Sequence, residues 1–188
     1  MYGYINGKVT KVNPKYIILE NNGIGYILIV SNPYNFKLNE EYKVYTYQYV
    51  REDVIDLYGF MLEEEKDLFL KLISVSGIGP KSALSILASS SVANVVKAIE
   101  DRNDRYLRKF PGIGQKASQQ IILDLKGKVQ FSDEADGIVK SSSKLTDVED
   151  ALIALGYSKK EITKIVSKLD ATKDVGVLVK EALKQLVK

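Results

Sequence analysis

Residues 72–83 read LISVSGIGPKSA, and residues 107–118 read LRKFPGIGQKAS, so that similar segments recur 35 positions apart. Both segments place a leucine before, and a lysine after, a glycine-isoleucine-glycine triplet. Glycine suits tight turns because it has no Cβ and readily adopts positive φ. Each copy therefore predicts the end of one helix, a turn, and the beginning of a second helix. A single triplet is equally typical of an ordinary helix-helix connection, but its duplication favours a shared function.

The two predicted turns have the chemistry of a phosphate site. The first amides of a helix lack partners within the helix, and the aligned peptide dipoles leave a partial positive charge there. A lysine two positions after the second glycine can reach the same anion. This is the helix-hairpin-helix pattern of sequence-independent DNA-binding proteins. The candidate DNA-binding residues are Gly77, Gly79 and Lys81 in the first copy and Gly112, Gly114 and Lys116 in the second.

The formal net charge of +3 is concentrated in the region of the repeat. Residues 1–62 contain 6 basic and 6 acidic side chains, residues 63–130 contain 11 and 8, and residues 131–188 contain 10 and 10. Within the middle region, the stretches 68–99 and 105–123 contain lysine or arginine but no acid. Acid-free basic stretches around both turns favour a phosphate-rich partner.

The composition excludes several classes of chemistry. The 188-residue chain has no cysteine and no histidine, which excludes disulfides, thiolate or imidazole catalysis, and a zinc site built on these ligands. No apolar stretch is long enough to cross a bilayer, and the N-terminus lacks the pattern of a signal segment. We therefore expect a cytoplasmic protein with no membrane partner, no metal and no cofactor.

The pattern of apolar residues predicts an α+β protein of several domains, the first of which is a small barrel. Residues 1–62 contain about five short runs rich in β-branched and aromatic residues, separated by turn signals, which indicates a β-barrel of the OB type. One run, Tyr42–Val50, places Tyr45, Tyr47 and Tyr49 on one face. These rings can stack on bases, but packing is the favoured interpretation because aromatic residues are common on half-buried strands.

The remainder of the chain is predicted to be helical with one interruption. Residues 63–130 have helical periodicity and predict an all-α domain of about five helices containing both hairpins. Residues 131–144 lack periodicity and predict a flexible linker. Residues 145–188 carry capping boxes that begin at Thr146 and Ser158, and they predict a three-helix bundle of the UBA-like type. The balanced charge of this bundle favours a protein partner over DNA.

Segments in chain order resemble the RuvA family, the Holliday-junction-binding subunits of the bacterial branch-migration machine. The N-terminal segments are MYGYING at residues 1–7, GIGY at 23–26, VRED at 50–53 and LYGF at 57–60. The two glycine turns and the segment ALIALGY at residues 151–157 complete a set that spans essentially the whole chain. Each segment alone is a moderate match, and the ordered set carries the resemblance.

The resemblance implies a homotetramer whose basic face holds an open, square-planar four-way junction through both glycine turns, with either one or two tetramers per junction. It also implies that Glu52 and Asp53 form an acidic pin near the tetramer centre, although from the residues alone they read as solvated turn residues. The C-terminal module would dock the hexameric ATPase RuvB, with the RuvC resolvase in the same complex. Candidate docking residues are Leu152, Leu155 and Tyr157, whose spacing equally fits a bundle core, and a core position is the favoured interpretation for at least one of them.

The sequence departs from the common pattern of the family at the second turn. Family members often carry a second basic residue where this chain has Gln115, and another where it has Gln119 and Gln120. We therefore expect the second turn to be less charged, and the salt dependence of DNA binding to be shallower.

Two other classes of function fit parts of the sequence. A helicase acting alone would need a phosphate loop ending in Gly-Lys-Ser or Gly-Lys-Thr, which the sequence lacks. A nuclease or glycosylase could use Glu52 and Asp53, although neighbouring residues on a strand point to opposite faces. Metal-dependent cleavage of branched DNA that is lost in Glu52→Ala would indicate this class. A general adaptor for double-stranded DNA would bind linear and four-way DNA equally well.

Overall fold

The computed structural model describes residues 1–129, 144–166 and 169–186. The chain forms two compact units that divide after residue 131. The predicted linker, residues 131–144, lies outside the described residues except for Lys144, which is the first residue of a helix. The predicted boundary between residues 62 and 63 falls within the first unit and stays a prediction.

Five strands form a closed barrel at the N-terminus, which confirms the predicted OB-type fold. The strands are β1 (Tyr4–Asn13), β2 (Tyr16–Asn21), β3 (Ile24–Val30), β4 (Glu41–Val50) and β5 (Ile55–Phe60), arranged in the order β1-β2-β3-β5-β4. Neighbouring strands are antiparallel except β3 and β5, which pair in parallel. The barrel interior is filled by side chains that alternate along the strands, namely Ile5, Val9, Ile17, Leu19, Leu28, Val30 and Val44.

The outer face of β4 and β5 packs against the first helix of the helical region. The Phe69 ring lies 5.1 Å from Tyr58 and 5.0 Å from Phe60, between ring centroids, and 6.0 Å from Tyr47. Tyr45 and Tyr49 pack against the same core. The tyrosines of β4 therefore contribute to packing, as the favoured interpretation of the sequence predicted, and they do not form an open platform for bases.

Five helices follow in the first unit, in agreement with the prediction. They are α1 (Glu63–Ser74), α2 (Pro80–Ser89), α3 (Val92–Glu100), α4 (Asp104–Leu107) and α5 (Gln115–Leu125). The Glu65 carboxylate accepts the backbone N–H of Leu62 at 3.3 Å, which fixes the beginning of α1. Ser91 caps α3 as predicted, because its hydroxyl accepts the Asn94 N–H at 3.3 Å.

The second unit contains α6 (Lys144–Ala154), α7 (Lys159–Val166) and α8 (Val175–Leu186). Its core consists of Val148, Leu152, Ile162, Val166, Leu178 and Ala182. The predicted cap at Thr146 is wrong, because α6 begins two residues earlier and Thr146 lies inside it. The predicted box at Ser158 is formed in part: the Glu161 carboxylate accepts the Ser158 N–H at 3.0 Å and its hydroxyl at 2.5 Å.

No single helix among residues 1–129, 144–166 and 169–186 is long and apolar enough to span a membrane. The pair α2 and α3 together meets the length and composition for a span, but the two helices are bent by 107° at the break between them.

Gly7 offers a test of the barrel packing. A Cβ on Gly7 would overlap the carbonyl oxygen of Glu20, which the β1–β2 ladder holds in place. We expect Gly7→Ala to lower the free energy of unfolding by about 1–3 kcal/mol, because the backbone must shift to admit the methyl group. Gly3→Ala is the control, since its Cβ would meet no atom within 4 Å. Equal denaturant midpoints for both variants would contradict this account.

Candidate nucleic-acid interface

The first glycine turn connects α1 to α2. Gly77 has φ +84°, which L side chains rarely adopt, and this residue reverses the chain. The Ile78 side chain is buried in the helical core, and its N–H donates to the Val75 carbonyl at 3.1 Å. Gly79 is then the N-cap of α2, with its carbonyl accepting the Ala83 N–H at 3.1 Å.

The second glycine turn, between α4 and α5, repeats this geometry. Gly112 has φ +80°, and the buried Ile113 donates its N–H to the Phe110 carbonyl at 3.1 Å. Gly114 is the N-cap of α5 and accepts the Ser118 N–H at 2.9 Å. The sequence repeat is therefore a repeat in three dimensions.

The two glycines of each turn have different structural roles. Gly77 and Gly112 are required by the backbone because their φ values are positive. Gly79 and Gly114 have φ of −97° and −87° with extended ψ, a conformation that any residue adopts. A Cβ at either position would meet no atom within 4 Å. The fold therefore tolerates a side chain at the second glycine, and its absence leaves the helix end open to close approach from outside.

The helices that follow the turns, α2 and α5, lack the side-chain caps found on α3 and α4. Ser91 caps α3, and the Asn103 side chain caps α4 by accepting the Tyr106 N–H. In contrast, α2 and α5 begin at glycine without a side-chain cap. Among the described residues, no acceptor lies within hydrogen-bond distance of the amides of Gly79, Lys81, Gly114 and Lys116. Each turn thus presents unpaired N–H groups at a helix N-terminus.

Some of the lysine and arginine side chains around the turns form ion pairs with carboxylates of the protein, and others do not. Lys81 and Lys116 are exposed, and no carboxylate of the described residues pairs with them. Arg108 instead pairs with Asp104 at 3.3 Å, and Lys97 pairs with Asp101 at 3.5 Å. Counting charges along the sequence therefore overestimated the free positive charge near the turns. The two lysines predicted from the motif remain available.

Packing between the two hairpins fixes their separation. A Cβ on Gly112 would lie 3.1 Å from the hydroxyl oxygen of Ser82, which belongs to the first turn of α2. The isoleucines at the centre of each turn, Ile78 and Ile113, are buried in one common core. The two sets of amides are consequently held by a single rigid core, which suits a partner with regularly spaced phosphates.

The predicted pin residues form the tip of the β4–β5 hairpin. Arg51 and Val54 close the turn with two backbone hydrogen bonds, of 2.8 and 3.4 Å, and Glu52 and Asp53 lie exposed between them. The argument that their side chains point to opposite faces assumed a strand, and that assumption is wrong, because β4 ends at Val50 and β5 begins at Ile55. No ion pair to either carboxylate is formed within the described residues.

A third acid of the hairpin faces the protein. The Tyr58 hydroxyl donates to the Asp56 carboxylate at 3.3 Å. Burial, together with this nearby negative charge, raises the pKa of Tyr58 to about 12, so that the phenol remains a donor at neutral pH. Of the three acids of the hairpin, Glu52 and Asp53 are exposed, whereas Asp56 is partly buried and accepts the Tyr58 hydrogen bond.

The docking candidates of the C-terminal unit divide into core and surface. Leu152 is fully buried in the bundle core, which agrees with the core interpretation that the sequence favoured for at least one of the three residues, and it offers no exposed surface to a partner. Leu155 is 59% exposed, and Tyr157 is partly buried against the core. Leu152 occupies the buried stripe of α6, whereas Leu155 follows at the helix end, where the chain turns at Gly156 with φ +93°. Ile153 and Val177 are also exposed, and the sequence analysis did not single them out.

An exposed apolar groove at the edge of the barrel was also missed. It has a volume of about 380 Å³ and is lined by Tyr2, Ile27, Ile29, Gln48, Ile55, Asp56 and Leu57. Ile55 is 75% exposed, and it pairs across the hairpin with the exposed Val50, directly beside the acidic turn. The sequence does contain apolar residues on both sides of Glu52 and Asp53, which is a signal for this groove. Strand alternation alone, however, does not show which face of the strands packs against the rest of the protein and which is exposed.

Residues 1–129, 144–166 and 169–186 contain no cluster of three or more acidic side chains that could hold a metal ion. The geometry supports anion binding by amides and lysines.

Comparisons with known proteins agree with this geometry in all three parts of the chain. Three family models match: "RuvA N terminal domain" over residues 1–59, "SAM-like Helix-hairpin-helix tandem" over residues 69–127, and "RuvA, C-terminal domain" over residues 143–187.

Curated relatives match over their full length. A "Holliday junction branch migration complex subunit RuvA" from Acholeplasma laidlawii is 53% identical, and one from Streptococcus pneumoniae is 49% identical. In both comparisons the alignment covers 100% of each chain. With this identity over its whole length, the chain belongs to the RuvA family of Holliday junction branch migration complex subunits.

Proposed function

We propose that this protein binds four-way DNA junctions by their backbone, without reading sequence, as a homotetramer that keeps the junction open and square-planar. It acts as a non-catalytic subunit and recruits the RuvB ATPase for branch migration in recombination and DNA repair. The observation that carries the proposal is the pair of helix ends at Gly79 and Gly114. These glycines are not required by the fold, and they leave unpaired amides open to a phosphate.

Each turn supplies two kinds of contact to a phosphate. The amides of Gly79 and Lys81, and likewise those of Gly114 and Lys116, donate hydrogen bonds whose directions are fixed by the helix ends. The lysine side chains add mobile positive charge. Neither kind of contact touches a base edge, so the binding follows the shape of the DNA backbone.

The acidic turn opposes these attractions at one place. Glu52 and Asp53 carry exposed charges with no partner among the described residues, and they repel phosphates that approach the hairpin tip. Such repulsion favours separated strands at the crossover of a junction. It also penalises a linear duplex that lies across the tip, and thereby contributes to selectivity for branched DNA.

Self-assembly is supported by the groove beside the acidic turn. Ile27 and Ile55 expose more than half of their surface there. Large apolar side chains grouped in this way are typical of a protein interface. Because Ile55 follows the acidic turn by two residues, an assembly through this groove brings four acidic turns near its centre.

The C-terminal unit is the proposed docking site for RuvB. It has its own core and presents Ile153, Leu155 and Val177 to the solvent. RuvC is expected in the same complex. The proposed DNA-binding and motor-binding surfaces thus belong to two different compact units.

The double variant Gly79→Val, Gly114→Val tests the central claim. Valine is compatible with the extended φ and ψ at both positions, and its side chain projects into open space where the phosphate would lie. We expect the affinity for four-way DNA to fall by at least about ten-fold, because several charge-assisted hydrogen bonds are lost. Fluorescence anisotropy with a labelled junction measures this change.

Gly3→Val is the matched control, since its side chain also enters open space, away from the turns. Circular dichroism should be the same for all variants. Undiminished junction binding by a folded double variant would refute the proposed contacts. A wild-type protein that binds linear duplex as tightly as four-way DNA would instead identify a general DNA adaptor.

Replacement of Ile55 tests the proposed assembly. We expect Ile55→Asp to shift the protein from tetramer to smaller species in native mass spectrometry, because a carboxylate in an apolar interface lacks a partner. Leu38→Asp is the control, since Leu38 is exposed to 55% but does not line the groove. Retention of the tetramer by Ile55→Asp would exclude this groove as the interface.

Removal of residues 145–188 tests the division of functions. The truncated protein keeps the whole of the first unit as far as the structure describes it, so we expect junction affinity to stay within about two-fold of the wild type. Stimulation of the RuvB ATPase should be lost. Leu155→Asp, a surface change in the full-length chain, should weaken the same stimulation. Loss of DNA binding on truncation would contradict the assignment.

A further inference from the structure

Arg51 stands next to two exposed carboxylates but does not pair with either of them. No ion pair joins its guanidinium to Glu52 or Asp53 within the described part of the chain. Its Nε–H instead donates to the Tyr49 hydroxyl at 3.0 Å. The guanidinium carbon also lies 4.9 Å from the centroid of the Tyr49 ring, within the range of a cation–π contact. The arginine is thus turned back along β4, away from the tip.

Tyr49 is itself held in place by the protein. Its ring contacts the Tyr58 ring edge-on, with centroids 6.2 Å apart, and packs against the helical core. Tyr58 is buried and donates its hydroxyl to Asp56. A chain of fixed contacts therefore runs from the core to the guanidinium. The hydrogen bond with Tyr49 also raises the pKa of Arg51.

We propose that Tyr49 is a positioning residue for the acidic turn, because it holds Arg51 back and leaves Glu52 and Asp53 uncompensated. This inference rests on the proposed repulsion between the turn and DNA phosphates. A guanidinium that is released from Tyr49 lies within one or two residues of both carboxylates and is the cation that best matches their geometry. Pairing would reduce the negative charge that the turn presents to DNA.

The experiment is a mutant cycle read by the affinity for linear duplex at low ionic strength. We expect Tyr49→Phe, which removes the hydroxyl, to strengthen duplex binding by about two- to five-fold. This is the size of effect expected when Arg51 forms one exposed ion pair with the acidic turn. Tyr49→Leu removes the ring as well and should have the larger effect. Tyr45→Phe is the matched control, because Tyr45 lies on the same face of β4 and packs against the same core, while the hydrogen bond and the cation–π contact of Arg51 are both made to Tyr49; it should leave the affinity unchanged.

The cycle separates positioning from a general effect on structure. Adding Arg51→Gln to Tyr49→Phe should remove the effect of the tyrosine change, because no cation is then released. In the Glu52→Gln, Asp53→Asn background, Tyr49→Phe should also have no effect. A Tyr49→Phe effect that is the same with and without Arg51 would overturn the proposal, as would the absence of any effect of Tyr49→Phe.

A second readout without DNA keeps this inference distinct from the proposed function. In the wild-type protein, the side-chain protons of Arg51 should show upfield ring-current shifts in NMR spectra, and Tyr49→Leu should abolish them. Their absence in the wild type would overturn the proposal whatever the DNA affinities are. If the shifts are present but Glu52→Gln, Asp53→Asn leaves duplex affinity unchanged, the proposed repulsion fails, and the role assigned to Tyr49 fails with it.

Discussion

The first backbone N–H groups of a helix have no hydrogen-bond partner within the helix. The function proposed for this protein depends on two helices whose first N–H groups are not capped by a side chain. A side-chain cap contributes about 1 kcal/mol to a helix, and α3 and α4 use serine and asparagine for this purpose. The helices α2 and α5 begin at Gly79 and Gly114 without a side-chain cap. The hydrogen bonds that a side-chain cap would make are absent at these two helix ends. A phosphate oxygen that accepts hydrogen bonds from the same N–H groups would stabilise the complex with DNA instead.

The remaining structure of the first unit keeps these amides in place relative to the acidic turn. Ile78 and Ile113 anchor the two glycine turns in one core, and the same core contains Tyr58 and Phe60 of β5. The hairpin that carries Glu52 and Asp53 at its tip is thus packed through its base against the helices that bear the amides. The proposed sites of attraction and repulsion toward DNA are therefore connected by one continuous set of buried contacts.

The sequence predicted much of this arrangement because its strongest signals are local. Glycine triplets, strand alternation and the Ser91 cap are properties of a few neighbouring residues, and they identified the barrel, the hairpins and the five helices of the first unit. The distinction between Gly77 and Gly79 could not be predicted, since it depends on φ and on the space around a Cβ that is absent. The sequence could not tell which of Leu152, Leu155 and Tyr157 lies in the core, because helical spacing is the same for a core stripe and a docking stripe. The pairing of Arg108 with Asp104 likewise required a structure, since a stretch without acids can still be neutralised by an acid just outside it.

The modest charge of the chain is consistent with selectivity for branched DNA. Mobile lysines attract any polyanion, and a protein that relied on them would bind linear duplex strongly at low salt. Fixed amides give their full hydrogen-bond energy only when phosphates arrive at both turns in the right geometry. An uncompensated acidic turn lowers the affinity for every arrangement that brings a backbone across it. In the proposed function, the balance between fixed attraction at the amides and fixed repulsion at the acidic turn selects among DNA shapes, so the position of the single guanidinium of Arg51 beside the acidic turn affects that selection.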